Sequence, residues 1–91
     1  MSYVLVRTTV HDPAAFEAYR RLAGPSIQAH GGRMLAKGPV LESLEGAESA
    51  QRVALIAFDD PETARRWYDS PAYQQAVRAR AGVAEMSLTL F

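Results

Sequence analysis

Three groups of side chains in this sequence have types and spacings that could carry chemistry. The first is His30, which is followed by Gly31-Gly32-Arg33 at the end of a helical stretch. A histidine is the usual general acid or base near neutral pH, since its unperturbed pKa is about 6.5. At a helix C-terminus the same side chain can simply answer the helix dipole, so both roles stay open for His30. The second group is Trp67, Tyr68, Ser70 and Tyr73. Adjacent helical residues point about 100° apart, so one of the Trp67 and Tyr68 rings is expected inside and the other at an edge. Ser70 can cap the helix that follows, leaving nearby amides to meet an anion. The tyrosine hydroxyls can orient a carbonyl or carboxylate while the rings wall an apolar pocket. Helix-to-sheet packing plus a cap is the plainer use of the same residues.

The third group is arginine. Arg7 and Arg52 lie in strand-like runs, and Arg33 begins another. A strand arginine on a covered face needs a carboxylate or a ligand, because an unpaired buried charge is costly; Glu42, Glu45 and Glu85 are available, from a second subunit. Arg33 or Arg52 can instead clamp a substrate carboxylate with its planar fork. Arg65-Arg66, three and four residues after Glu62, reads as a solvated, paired helix face.

Other chemistries find little support. His11 and His30 stand nineteen residues apart and the chain has no cysteine, so no metal-ligand spacing, thiolate nucleophile or disulfide framework is present. Gly31-Gly32 ends a helix rather than opening one, unlike a phosphate-cradling loop. No metal site and no cofactor are expected. Ten basic residues offset ten acidic ones, which leaves no basic footprint for nucleic acid. No apolar run approaches the ~18 residues of a membrane span, and no signal peptide is recognisable. The expectation is a soluble, cytoplasmic protein without nucleic-acid or membrane partners. Ninety-one residues, 48% hydrophobic and 22% charged, make one globular domain over 1–91. A core this small is limited, and oligomerisation is a common remedy.

The elements that must position these residues alternate along the chain. A β-branched run over 3–10 predicts a strand. Asp12-Pro13 opens a helix with Phe16, Tyr19, Ala23 and Ile27 on one stripe. Glu17 precedes Arg20 and Arg21 on its solvent face. Gly24-Pro25 should kink or break that helix near Ala23, and Gly31-Gly32 ends it. A second strand is expected over 33–37, bent or bulged at Gly38-Pro39 and continuing over 40–44. After a polar turn, 52–58 forms a third strand. Asp59-Asp60-Pro61 starts a helix to about Tyr68, and Ser70-Pro71 starts a further helical stretch to about Ala79, with Tyr73, Ala76 and Val77 inward. A last strand covers 84–91.

The order βαββαβ predicts an α+β, ferredoxin-like domain: a four-stranded antiparallel sheet with two helices on one face. Val4, Val6 and Val10 share one side of the first strand, and Tyr3, Leu5, Arg7 and Thr9 share the other. The last strand opposes Met86, Leu88 and Leu90 to Glu85, Ser87, Thr89 and Phe91. A solvated face carries clean polar alternation; this one is half apolar. A second subunit is expected to cover it through the same face, with Leu5 and Leu88 as the residues whose replacement by Asp would separate the homodimer. RNA binding by this fold needs exposed aromatics on the central strands and a basic sheet. Ala54-Leu55-Ile56-Ala57 stands there instead.

Several stretches together resemble a known family. Ala-His-Gly-Gly-Arg at 29–33, Glu45-Gly46, Arg-Val-Ala-Leu-Ile-Ala-Phe at 52–58 and Ala-Arg-Arg-Trp-Tyr-Asp-Ser-Pro-Ala-Tyr at 64–73 resemble the uncharacterised bacterial family DUF1330, of the dimeric α/β-barrel superfamily. The resemblance covers essentially the whole chain. It implies two ferredoxin-like subunits packed sheet to sheet, each with a small-molecule pocket between sheet and helices. Relatives in that superfamily include cofactor-free monooxygenases, isomerases, haem-dependent proteins and stress-responsive proteins. An architecture transfers by such analogy, and a reaction does not. Two functions are therefore carried forward. One is a cofactor-free oxygenase or isomerase of a small aromatic or enol acid, with His30 moving a proton, Tyr68 or Tyr73 orienting and Arg33 or Arg52 holding the anion. The other is a non-catalytic small-molecule-binding or stress-related module.

Overall fold

The computed structural model describes residues 1–91. Its elements are β1 (Ser2–Val10), α1 (Pro13–Ala29), β2 (Arg33–Pro39), β3 (Arg52–Phe58), α2 (Pro61–Asp69), α3 (Pro71–Ala79) and β4 (Ala84–Leu90). All three helices begin in the same way. Asp12, Asp60 and Ser70 take the N-cap and accept from the N–H of Ala15, Thr63 and Tyr73, with proline in the first turn. The cap satisfies a donor that the helix leaves orphaned, and proline has none to lose there. The Thr63 N–H holds the Asp60 carboxyl below the usual carboxylate range.

The exit from α1 uses both of its glycines, for different reasons. Gly31 takes φ 71°, and its N–H reaches the Gln28 carbonyl at 3.0 Å while that of Gly32 reaches Ile27 at 2.9 Å. Those two bonds close a Schellman motif, which needs a left-handed residue at Gly31. Gly32 is required for closeness instead: a Cβ there would lie 2.6 Å from Ile27 Cγ2 and 2.8 Å from Phe58 Cε1.

The sheet order is β2-β3-β1-β4, with every neighbouring pair antiparallel. Register places Val4 between Ile56 and Leu90, and Val6 between Ala54 and Leu88. That face is covered by the helices, α2 lying on β1 and β3 and α3 packing on α1. Val4, Val6, Ile56 and Phe58 join Phe16, Tyr19, Ile27, Trp67 and Tyr73 in one buried cluster. The opposite face carries Leu5 between Leu55 and Thr89, and Tyr3 against Phe91 with ring centroids 5.6 Å apart. This is the ferredoxin-like arrangement, with the second helical layer divided at Ser70 into two nine-residue helices.

Several local expectations are corrected. α1 runs unbroken through Pro25. Gly24, having no Cβ, avoids the clash that a residue before proline suffers in helical conformation, and the buried Ser26 hydroxyl bonds to the Ala23 carbonyl at 2.7 Å. The register shift in β2 falls between Met34 and Ala36, not at Gly38-Pro39. Residues 40–44 are not a strand: only Val40 continues the ladder, through its N–H to Gln51, and Leu41 and Leu44 are almost fully exposed. Glu17 and Glu62 close no ion pair with the arginines downstream of them, and Arg7 pairs within the chain with Glu48 at 3.0 Å. Glu85 meets His11 instead, at 3.3 Å. Leu88 faces the helices beside Val6, so of the two residues expected at the second face only Leu5 lies there.

Gly32→Ala is expected to destabilise the protein by about 1–3 kcal/mol, since neither Ile27 nor Phe58 can retreat from a packed core without strain. Urea melts of the two proteins check it; an unchanged midpoint would show that the close approach is not required.

Candidate functional site

The helical layer stands off the sheet enough to leave two adjacent chambers. One, of about 250 Å³, lies between α1 and the strands β1, β2 and β3. The other, of about 320 Å³, lies between α2 and β4. Trp67, Met86 and Leu88 belong to the walls of both. The walls are mainly apolar, as ligand sites usually are, with a few polar groups to orient what enters.

The α1 chamber takes its charged groups from three separate elements, Arg20 of α1, Lys37 of β2 and Arg52 of β3, and Thr8 of β1 also lines it. None of the three is in an ion pair, and no carboxylate lines the chamber. Arg20 lies over the Phe16 ring, 5.3 Å from its centroid. Arg20 and Lys37 are exposed at the chamber's rim and Arg52 is half-buried, and cations beside apolar surface are the combination that suits an anion with an apolar body. Sequence spacing alone pointed to Arg52; Arg20 and Lys37 carried no such signal, because their convergence depends on how α1 and β2 meet.

The other residues singled out from sequence are distributed unevenly. Trp67 is buried and Tyr68 exposed at the mouth of the α2 chamber, as their 100° separation requires. The Trp67 indole N–H donates to the Ser26 hydroxyl at 3.1 Å. The Ser70 hydroxyl is committed locally, donating to the Trp67 carbonyl at 2.7 Å and accepting from the Tyr73 N–H at 3.2 Å. Tyr73 is fully buried and lines neither chamber. Arg33 is exposed and reaches the Met1 sulfur at 3.7 Å. His30 caps α1, with Nδ1 at 2.9 Å from the Ser26 carbonyl. A carbonyl can only accept, so Nδ1 carries the proton and Nε2 is left free. His30 also lines neither chamber.

Behind the wall of the α1 chamber, at Tyr19, sits a polar contact that the sequence did not signal: Tyr73 was expected to orient a ligand or pack inward, and Tyr19 to pack. The Tyr19 and Tyr73 hydroxyls are 2.8 Å apart and buried, with the Arg80 guanidinium carbon 5.8 Å from the Tyr19 ring centroid. Burial pushes the Tyr19 hydroxyl far above the ordinary tyrosine range, its Tyr73 neighbour adds to this, and Arg80 pulls it back. Tyr73 is raised too, by burial, against the Tyr19 hydrogen bond and Arg80. Both are therefore neutral hydrogen-bonding groups rather than bases.

The family model for a domain of unknown function, DUF1330, matches residues 1–91. The chain belongs to the DUF1330 family. It is similar in structure to RPA0582, a protein of unknown function from Rhodopseudomonas palustris, with a TM-score of 0.78 and 21% identity over 99% of this chain and 79% of that one. It is also similar to SnoaB, a cofactor-independent oxygenase from Streptomyces nogalater, with a TM-score of 0.67 and 21% identity over 99% and 89% of the two chains. A dimeric, ferredoxin-like protein of unknown function from Bacteroides fragilis gives a TM-score of 0.63 and 12% identity over 99% and 93%. At such identities the likeness of this DUF1330 chain to the three shows the fold alone. No curated protein sequence matches it, and no helix is long and apolar enough to cross a membrane.

The tyrosine pair gives two tests. Tyr19→Phe or Tyr73→Phe is expected to cost about 1–2 kcal/mol, with the double variant costing less than the sum, because each single change strands a buried hydroxyl. Unfolded tyrosine loses its proton near pH 10, whereas the folded pair retains it to higher pH. Above about pH 10 the unfolded state therefore binds fewer protons, and stability that is complete below that pH falls as pH rises. Urea melts from neutral pH upward should show this loss, flattened in Tyr19→Phe.

Proposed function

We propose that this protein holds a small aromatic or enolic acid in the chamber between α1 and the sheet, and acts on it without a cofactor as an oxygenase or isomerase. The observation that carries the reading is the convergence of Arg20, Lys37 and Arg52, none of them paired, on a chamber with no carboxylate. Fixed cations there hold a carboxylate and favour an enolate or phenolate over its neutral form, the charge state from which oxygenation or isomerisation proceeds. Trp67 provides a flat wall for the ring. His30, with Nε2 free, is the proposed proton-transfer residue. That SnoaB is a cofactor-independent oxygenase is in keeping with this choice of chemistry.

A second reading, a binding module without turnover, is favoured by one observation. His30 lies on the wall of neither chamber, and Tyr19, on the wall of the α1 chamber, is held protonated by burial and so is no base. In either case we place a second copy of the chain on the open sheet face, over Leu5 and Leu55, and the protein in the cytoplasm. The dimeric state of the Bacteroides fragilis structure supports the pairing.

Thermal melting against a panel of small aromatic acids, enols and quinones tests the site. A true ligand at about one hundred times its dissociation constant adds about 2.7 kcal/mol, a shift on the order of ten degrees or more in a domain this small. Arg52→Met should abolish most of that shift, and a flat panel would sink the proposal. For any hit that turns over, His30→Ala should remove activity while leaving the melting temperature nearly unchanged. Activity that survives the change assigns the chamber to binding, or the proton transfer to another group. In sedimentation at micromolar concentration the wild type should be a dimer, and Leu5→Asp or Leu55→Asp a monomer, since each buries a charge at the interface. A monomeric wild type overturns the pairing.

A further inference from the structure

The chamber between α2 and β4 is lined by a cation, Arg80, that lies over the Tyr19 ring and closes no ion pair. Arg80 is the C-cap of α3 and is half-buried. Its side chain reaches the chamber wall, and its Nε is fully buried with no hydrogen-bond partner. Neither ion pair of the chain includes it. Almost all buried N–H groups in folded proteins have an acceptor, and leaving one on a cation unpaired is costly. Around it the wall is apolar, formed by Val4, Ala64, Trp67, Leu88 and Leu90. The other two charges on the wall, Arg65 and Asp69, are exposed and opposite in sign. Arg80 therefore sets the net charge of the chamber, at one positive charge.

We propose that Arg80 anchors the anionic group of a small, apolar monocarboxylic acid in the chamber between α2 and β4, a binding site separate from the α1 chamber. The chemistry of the wall is the complement of such a ligand: the Arg80 guanidinium for its charge, and apolar surface for everything else. A volume of about 320 Å³ is at the small end of ligand sites and suits a single-ring acid. The two chambers differ in what they select, since one cation favours a monoanion where three favour a more highly charged one.

The test is a titration of the ¹⁵N-labelled full chain with benzoate, with benzamide as its neutral counterpart. The Arg80 Nε–H and the amides of Ala64 and Leu90 should shift saturably with benzoate and not with benzamide. Arg80→Met, which keeps the aliphatic stem, should weaken that response roughly ten- to hundredfold, the usual effect of losing a charged hydrogen bond. Arg52→Met should leave it within about twofold, because the two sites share no cation. Absence of saturable shifts at these signals overturns the proposal, as does an Arg80→Met protein that binds benzoate like the wild type. Shifts confined to Ala23 and Ala54 and lost in Arg52→Met assign benzoate to the α1 chamber and also overturn it. Should Arg80→Met fail to fold, Leu90→Phe keeps the arginine and fills the chamber. Loss of the benzoate response there supports the site, and its full retention refutes it.

Discussion

One buried indole holds the two layers together. Trp67 lies with its ring centroid 4.3 Å from Tyr73 of α3 and 5.3 Å from Phe58 of β3, while its N–H is taken by Ser26 of α1 at 3.1 Å. A single side chain on α2 thus contacts the sheet and both other helices. Removing a buried tryptophan typically costs about 3–5 kcal/mol, against roughly 5–15 kcal/mol for a whole domain. The N–H is what makes this constraint directional, because a buried donor must find an acceptor. Ser26 supplies one from the otherwise apolar stripe of α1, and by bonding back to Ala23 it stays within the helix.

The same ring determines where space is left over. Trp67, with Met86 and Leu88, forms the partition between the chambers, so the side chain that ties the layers together also divides the interior. On one side, cations arrive from α1, β2 and β3 with no acid among them. On the other, the exposed charges of Arg65 and Asp69 oppose each other and Arg80 has an Nε without a partner. Like charges gathered around apolar surface destabilise an empty fold and favour one with an anion bound. The tyrosine pair behind the partition adds polarity without charge, since burial keeps both hydroxyls protonated.

Much of the fold was legible because its signals are local. Asp12-Pro13, Asp60-Pro61 and Ser70-Pro71 announce helix starts through a side-chain acceptor followed by a residue with no N–H to lose. Gly31-Gly32 announces an end, and the alternation in β1 separates Val4 and Val6 from Tyr3 and Leu5. The failures are equally physical. Residues 40–44 have strand-like composition, but β2 is the sheet's edge and Pro39 offers no donor, so nothing continues the ladder past Val40. Pro25 should have broken α1, yet Gly24 before it removes the clash. Leu88 was given to the wrong face because a period of two defines two sides of a strand and says nothing about which side meets the helices; pairing with Val6 decides that.

The site was less legible for the same reason on a longer scale. His30, Ser70 and Tyr73 were selected by type and neighbourhood, and the fold spends the Ser70 hydroxyl on a cap and the Tyr73 hydroxyl on a buried contact, while His30 stands off both chambers. Arg52 and Trp67 do meet at a cavity, in company with Arg20 and Lys37, while Arg80 lines the neighbouring one; the positions of these three along the chain carry no hint of it. By itself the sequence determined the element order, the caps, the inward stripes and the family, because short-range hydrogen bonding and side-chain periodicity are written in neighbouring residues. Only the tertiary structure decided which cations share a chamber and which are left without a partner, because those contacts join segments that nothing but the packed sheet and helices brings within reach.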